Sequence, residues 1–173
     1  MPLETPIVEA PDEVRRILAP LRHGFSVALY APGNGFAIGA IIRTAHNFLA
    51  REIIVIGSDA FYEKAAMGMD KYENVVPCLD GEAFSAHVGT RPVWGLEKDC
   101  ATASLDAIAT VPDDVVFLFG SERAGIPAAA LERCARVVGI PVFGVNHSLP
   151  LAIAAGIVMH DYTRRYYARG RVR

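Results

Sequence analysis

The chain has 173 residues, of which 52% are hydrophobic and 21% are charged, and its formal net charge is −2. This length and hydrophobic content predict one domain over residues 1–173 that buries roughly 70% of the surface exposed by the unfolded chain. The apolar runs are too short for a membrane span, and the acidic, proline-broken start MPLETPIVEAPDEV is unlike a signal peptide, so we expect a cytoplasmic protein without a membrane segment.

Cysteine and histidine follow no metal-ligand or disulfide pattern. Cys78, Cys100 and Cys134 lack paired spacing, which favours free, reduced thiols. The five histidines also lack ligand spacing, so we expect no metal site.

Basic residues are concentrated at the C-terminus. Residues 164–173 hold five of the 17 Lys and Arg residues and no acid, which leaves 12 basic and 19 acidic residues in the rest of the chain. Such a basic C-terminal tail on an acidic body is typical of nucleic-acid binding, but arginines at a helix C-terminus also favour the helix dipole and solubility.

Strands and helices are predicted to alternate along the chain. An N-terminal helical extension (residues 1–23) contains a helix over 11–22 that Asp12 caps and that turns Val14, Ile17, Leu18 and Leu21 inward. Strands are predicted over residues 25–30, 52–57, 75–79, 92–97, 115–119 and 137–142. Helices are predicted over 36–50, 84–89, 128–135 and 149–167, with a short helix in the loop 58–74 and an amphipathic segment over 103–108. This alternation predicts an α/β fold with a parallel sheet.

The helix over 36–50 has a polar face opposite its apolar stripe. Arg43, His46 and Asn47 share this face, and we expect Arg43 to be functional because it lies near the carboxyl edge of the sheet. His46 and Asn47 fit a functional site and a solvated face equally well. The preceding turn, GNGFAIG, is similar to a dinucleotide-binding fingerprint with one extra residue. A nicotinamide-dependent enzyme is therefore an alternative, weakened because no Tyr-x-x-x-Lys pair follows.

The stretch over residues 117–148, FLFGSERAGIPAAALERCARVVGIPVFGVNHS, predicts a ligand pocket. A strand buried on both faces ends at Gly120, and the turn after it contains Glu122 and is closed by Gly125. Pro127 suits the first position of a short helix. A second strand and a loop over 144–148 follow. Two small-residue loops at the carboxyl edge of a parallel sheet predict a site for a compact polar ligand.

The last predicted helix begins at Leu149 or Pro150, and its first half is apolar on every side. A surface helix of this kind must be covered twice, so we expect the sheet to cover one side and a second copy of the protein to cover the other. Ala152, Ala155 and Gly156 would permit close helix packing. The sequence therefore predicts a homodimer.

Three segments in order carry a family resemblance: GAIIRTAHNF, FGSERAGIP, and an Ile-Pro strand followed by HSL at the start of an apolar helix. Together they resemble the motifs of the TrmH (SpoU) branch of the SPOUT methyltransferases, over residues 25–162. The resemblance implies a parallel-sheet SPOUT fold with a C-terminal trefoil knot, which binds the cofactor, in a homodimer. It also implies methyl transfer from S-adenosylmethionine to a ribose 2′-hydroxyl of tRNA or rRNA.

The resemblance also implies site residues by motif position. It assigns cofactor binding to Leu96, Gly120, Ile140, Ser148 and Leu149, and catalysis to Arg43, Glu122 and Ser148. Because a guanidinium stays protonated in proteins, we expect Arg43 to bind RNA phosphate and orient the 2′-hydroxyl, although the family also suggests proton removal. Glu122 would orient Arg43 or a ligand amine. In the basic tail, we expect Arg164, Arg165 and Arg169 to contact RNA together with Arg43.

Two positions depart from the family pattern. Ala37 and Pro150 stand where the family usually has asparagine, and Asn34 and Asn146 lie close enough in sequence to substitute. The alternative function is a knotted module that binds S-adenosylmethionine and RNA but has lost turnover. The chain lacks the additional N-terminal domain of many rRNA-directed relatives, which favours tRNA.

Overall fold

The computed structural model describes residues 10–57 and 60–168. These residues build a seven-stranded sheet in which every pair of neighbouring strands is parallel. The strands are β1 Ser26–Tyr30, β2 Ile53–Ile56, β3 Val75–Cys78, β4 Val93–Leu96, β5 Ala103–Ser104, β6 Val116–Phe119 and β7 Arg136–Gly139. Their order is β3-β2-β1-β6-β4-β7-β5. The predicted α/β class and parallel sheet are confirmed.

The helices of the described chain are α1 Pro11–Leu18, α2 Gly35–Asn47, α3 Glu63–Ala66, α4 Gly81–Val88, α5 Ala128–Leu131 and α6 Leu151–Ala168. Short 3₁₀ turns cover Ala19–Leu21, Met69–Lys71 and Leu105–Ala107. Helix α5 is shorter than predicted, with Pro127 at its N-cap rather than its first turn. The strand predicted over 137–142 ends at Gly139, and the chain beyond it forms an exposed loop.

The core has two layers because the central strands are buried on both faces. One face, which includes Val27 and Leu29, packs against α2 and α6; the other, which includes Ala28 and Leu118, packs against α4 and Ile126. Continuous burial of this kind is typical of parallel strands covered by helices.

Helix α1 corrects two details of the prediction. Its N-cap is Ala10 with no side-chain hydrogen bond, and Asp12 pairs with Arg15 inside the helix. Val14 is buried as predicted, but Ile17 and Leu21 are 47% and 41% exposed. The helical periodicity of this segment therefore predicted more buried apolar residues than the structure contains.

His46 belongs to a buried ion-pair cluster. Its Nδ1 lies 2.9 Å from Glu73 Oε1, and the Arg22 guanidinium donates to both oxygens of the same carboxylate, at 2.6 and 2.9 Å. The Glu73 side chain is 0% exposed. Burial alone would raise the pKa of Glu73, but the hydrogen bonds from His46 and Arg22 outweigh it and hold that pKa below its usual value. The structure gives His46 a structural role, which is neither the functional role nor the solvated position that the sequence analysis left open.

Among the described residues, helix α6 is covered on one side only. Ala155, Val158 and Met159 are buried against the sheet and α2, whereas Ile153 and Ile157 are 54% and 37% exposed. None of the helices in the described ranges has the length and apolar character needed to span a bilayer.

Candidate functional site

A pocket opens at the carboxyl edge of β4, β6 and β7. Its floor contains the strand ends Leu96, Phe119 and Val138, and its walls come from the loops after those strands and from the start of α6. It contains six predicted site residues: Leu96, Gly120, Glu122, Ile140, Ser148 and Leu149. Parallel strands place their following loops on one edge, which is why residues from three distant segments meet there.

Gly120 is required by the backbone of the turn around it. Ser121 and Gly125 exchange two backbone hydrogen bonds, at 2.9 and 3.2 Å, and fold the turn back on itself. A Cβ on Gly120 would lie 2.0 Å from the Gly125 carbonyl carbon and 2.2 Å from the Ile126 nitrogen. Any side chain at Gly120 would therefore displace the turn, whether or not a ligand is bound.

Glu97 holds this turn against β4, and the sequence analysis did not select it. Its carboxylate accepts from Ile126 N at 3.3 Å and from Lys98 N at 3.1 Å. The sequence feature that could have identified Glu97 is its position directly after a buried strand, where binding residues are common in parallel sheets. Arg123 and His147 also line the pocket and were likewise missed, although both lie inside the motif segments.

Glu122 joins the starts of two helices. Its Oε1 accepts from Leu151 N, the first residue of α6, at 3.1 Å, and its Oε2 accepts from Asn34 Nδ2 at 3.3 Å. Asn34 is the N-cap of α2, because its Oδ1 accepts from Ala37 N at 3.1 Å. The hydrogen bonds of Glu122 thus go to Asn34 and α6 rather than to Arg43.

Ser148 lies in an exposed loop and is oriented by a neighbour. Its backbone N–H and its Oγ both donate to Asn146 Oδ1, at 3.1 Å each. Over residues 140–147, no backbone N–H donates to another described residue. These open donors stand beside the apolar side chains of Leu96, Ile140 and Leu149. Apolar walls with free backbone groups suit the flat, polar-edged base of a nucleoside.

Arg43 lies outside this pocket. It is exposed on α2, and its guanidinium makes no hydrogen bond or ion pair with the described residues. It lines a separate cleft with Phe36, Lys64 and Met67.

The described part of the basic tail is largely engaged within the protein. Arg164 is exposed and donates to Asp161 at 2.9 Å. Arg165 is 13% exposed and donates to Asp161 and to the carbonyls of Leu105 and Ile108. Its guanidinium therefore anchors α6 to the segment before β6. Arg169, also predicted to contact RNA, lies outside the described residues.

No group of three or more His, Cys, Asp or Glu side chains that could hold a metal ion occurs within residues 10–57 and 60–168.

Comparison with known proteins gives a consistent result. The model of the SpoU rRNA Methylase family matches residues 24–160. The chain is 26% identical over 133 residues to the 23S rRNA (guanosine-2'-O-)-methyltransferase RlmB of Neisseria meningitidis serogroup B, a match covering 74% of this chain and 53% of the relative. It is 30% identical over 142 residues to the 23S rRNA (adenosine(1067)-2'-O)-methyltransferase of Streptomyces laurentii, covering 78% and 52%. The chain thus spans about half the length of these curated relatives.

Solved structures share the fold. One that concerns the 2-OH methylation of C/U34 on tRNA has a TM-score of 0.77 at 25% identity, covering 85% of this chain and 99% of its own. The AdoMet-bound rRNA methyltransferase from Sinorhizobium meliloti has a TM-score of 0.71 at 29% identity, covering 85% and 59%.

Proposed function

The chain belongs to the SpoU rRNA Methylase family, and we propose that it transfers a methyl group from S-adenosylmethionine to a ribose 2′-hydroxyl of tRNA or rRNA. The observation that carries the proposal is the pocket in which two distant motifs meet beside free backbone groups, with Gly120 and Glu122 from one motif and Ser148 from the other. We place this activity in the cytoplasm, where both RNAs are accessible.

In this proposal, Leu96, Gly120, Ile140, Ser148 and Leu149 hold the cofactor, with backbone groups of their loops facing the adenosine. When bound, S-adenosylmethionine supplies an electrophilic methyl group. The protein's main task is then to hold the 2′-hydroxyl in line with that group, since positioning alone lowers such barriers by several kcal/mol. Arg43 has no competing acceptor among the described residues, so its protonated guanidinium is available to an RNA phosphate and to the nucleophile oxygen.

The trefoil knot belongs to the same proposal. Strand β7 lies between β4 and β5, which are consecutive in the chain, so the segment 97–102 must cross β7. The loop over 140–150 then leads into α6, which packs against α2 on one face of the sheet. This crossing of consecutive elements supports a knotted C-terminal region within a single domain.

The activity is tested by incubating the full chain with radiolabelled S-adenosylmethionine and, in parallel, total tRNA and ribosomal RNA from its source organism. We expect label in RNA and, after digestion, a 2′-O-methylated nucleoside by mass spectrometry. We favour tRNA as the first substrate. Calorimetric binding of S-adenosylhomocysteine with no labelled RNA of either kind would instead support the binding module.

Asn34 supplies the amide that Ala37 lacks, and a charge swap tests this role. Asn34→Asp keeps an N-cap oxygen but sets a carboxylate against Glu122. We expect kcat/KM to fall about tenfold, the effect of one lost polar contact. In the double variant Asn34→Asp/Glu122→Gln, the new amide donates to Asp and still accepts from Leu151 N. Recovery of kcat/KM in the double variant relative to Asn34→Asp supports the bridge. Losses of Asn34→Asp and Glu122→Gln that simply add in the double variant contradict it.

A homodimer through α6 is also proposed, because Ile153 and Ile157 are exposed on its outer face. A stable interface of standard size buries roughly 800 Å² per partner, and a carboxylate in its centre would be unpaired. We therefore expect Ile157→Asp to sediment as a monomer. Ile17→Asp, at an isoleucine 47% exposed on α1, is the matched control and should leave the assembly unchanged. A wild-type protein that sediments as a monomer contradicts the proposal.

A further inference from the structure

Two aromatic side chains are exposed side by side at the start of α2. Phe36 is 64% exposed and Tyr62 is 49% exposed. Their ring centroids are 6.3 Å apart with an angle of 26° between the ring planes. A stacked pair of exposed rings leaves further aromatic faces open to a flat partner.

The segment that carries Tyr62 is fixed against α2 by backbone contacts. Tyr62 N donates to Gly35 O at 2.9 Å. A Cβ on Gly39 would lie 2.6 Å from Tyr62 O and 2.9 Å from Ala65 Cβ, so only glycine permits this approach. The backbone positions that carry the two rings are therefore fixed relative to each other before any partner arrives, which reduces the entropy cost of binding.

The cleft beside the rings is positively charged. Arg43 and Lys64 line it, and none of its described lining residues is Asp or Glu, although Glu63 is adjacent in sequence. Neither cation has an acceptor or a carboxylate partner among the described residues. By contrast, Arg164 and Arg165 are both paired with Asp161. Two cations without a described partner thus lie together in the α2–α3 cleft of a chain whose net charge is −2.

We propose that this cleft binds a single-stranded segment of the substrate RNA next to the methylated nucleotide. Bases stack on Phe36 and Tyr62, and Lys64 contacts the backbone phosphate between them. Stacking on aromatic rings combined with backbone cations is how proteins bind unpaired nucleotides. The inference rests on the proposed function, since it assigns the site to that enzyme's RNA.

A second copy of the chain fits this surface less well than RNA. In a symmetric dimer the same cleft from each protomer would bring like charges together, and no carboxylate among the cleft's described lining residues would neutralise them. RNA supplies the missing negative charge.

The test uses paired variants and a fluorescein-labelled tRNA pool, with anisotropy measured between 50 and roughly 300 mM salt. Phe36→Tyr keeps a ring and should bind like wild type, whereas Phe36→Leu keeps apolar bulk and should bind about tenfold more weakly. Lys64→Ala should reduce the slope of log affinity against log salt by about 1. Arg51→Ala removes an exposed arginine at the amino end of β2 and should change neither.

Equal RNA affinity of Phe36→Leu and wild type would overturn the inference while leaving the methyltransferase intact. Conversion of a sedimenting dimer to monomer by Phe36→Leu would also overturn it and assign the patch to protein contact. If wild type methylates neither tRNA nor rRNA, the proposed function fails first, and the anisotropy series still reports separately on the cleft.

Discussion

Arg43→Ala should lower the turnover number at least ~10²-fold while S-adenosylhomocysteine binds nearly as tightly as to wild type. Arg43 lies on α2, outside the pocket that holds the proposed cofactor residues, so its loss removes no cofactor contact. Its guanidinium also has no internal partner among the described residues, so its loss leaves no buried charge unpaired. A fall in kcat without a fall in stability or cofactor affinity would identify a group that acts on the transition state.

Two control variants sharpen this experiment. Arg43→Lys keeps the charge but loses the planar fork, so partial activity would favour phosphate contact over bidentate orientation of the nucleophile. Arg51→Ala should be fully active. If wild type and Arg43→Ala were equally inactive on tRNA and rRNA, yet both bound S-adenosylhomocysteine, the chain would be a binding module rather than an enzyme.

Local patterns predicted the sheet class and most of its elements. The mainly apolar runs over residues 25–30 and 115–119 form strands, and the apolar stripe of α2 forms a helix, as expected. Strands buried on both faces require such runs. The order of the strands was not predictable, since β7 enters between β4 and β5 through contacts that no local pattern encodes. The family membership inferred from three motifs is confirmed.

The sequence predicted which residues line the candidate site better than it predicted the hydrogen bonds between them. Motif positions named six of the residues that line the pocket, but not the bridge from Glu122 to Asn34 and Leu151. That bridge joins residues 88 and 29 positions apart, and only the folded chain brings them together. For His46 the sequence pattern left a functional role open that the structure does not support. It shares a helix face with Arg43, but its ring pairs with the buried Glu73 carboxylate and has a structural role.

The buried cluster around Glu73 should have a large effect on stability. Glu73→Gln leaves the Arg22 guanidinium, whose side chain is 13% exposed, without its counter-charge. Removing one member of a buried pair typically costs about 3 kcal/mol or more, so we expect a loss of this size in the free energy of unfolding at pH 7. Glu13→Gln, in the exposed pair with Arg16 on α1, should change stability much less. Urea titration followed by far-UV circular dichroism measures both.

The same cluster predicts how that stability depends on pH. Hydrogen bonds from His46 and Arg22 hold the pKa of Glu73 below its usual value of 4.5, so the unfolded chain binds the proton more readily. The stabilisation is therefore complete above pH ~4.5 and is lost as the pH falls through the lowered pKa of the folded state. Because Gln does not titrate, the difference in unfolding free energy between wild type and Glu73→Gln should be largest at pH 7 and shrink below pH ~4.5. A difference that stays constant down to pH ~3 would mean that packing, and not the carboxylate charge, is what Glu73 contributes.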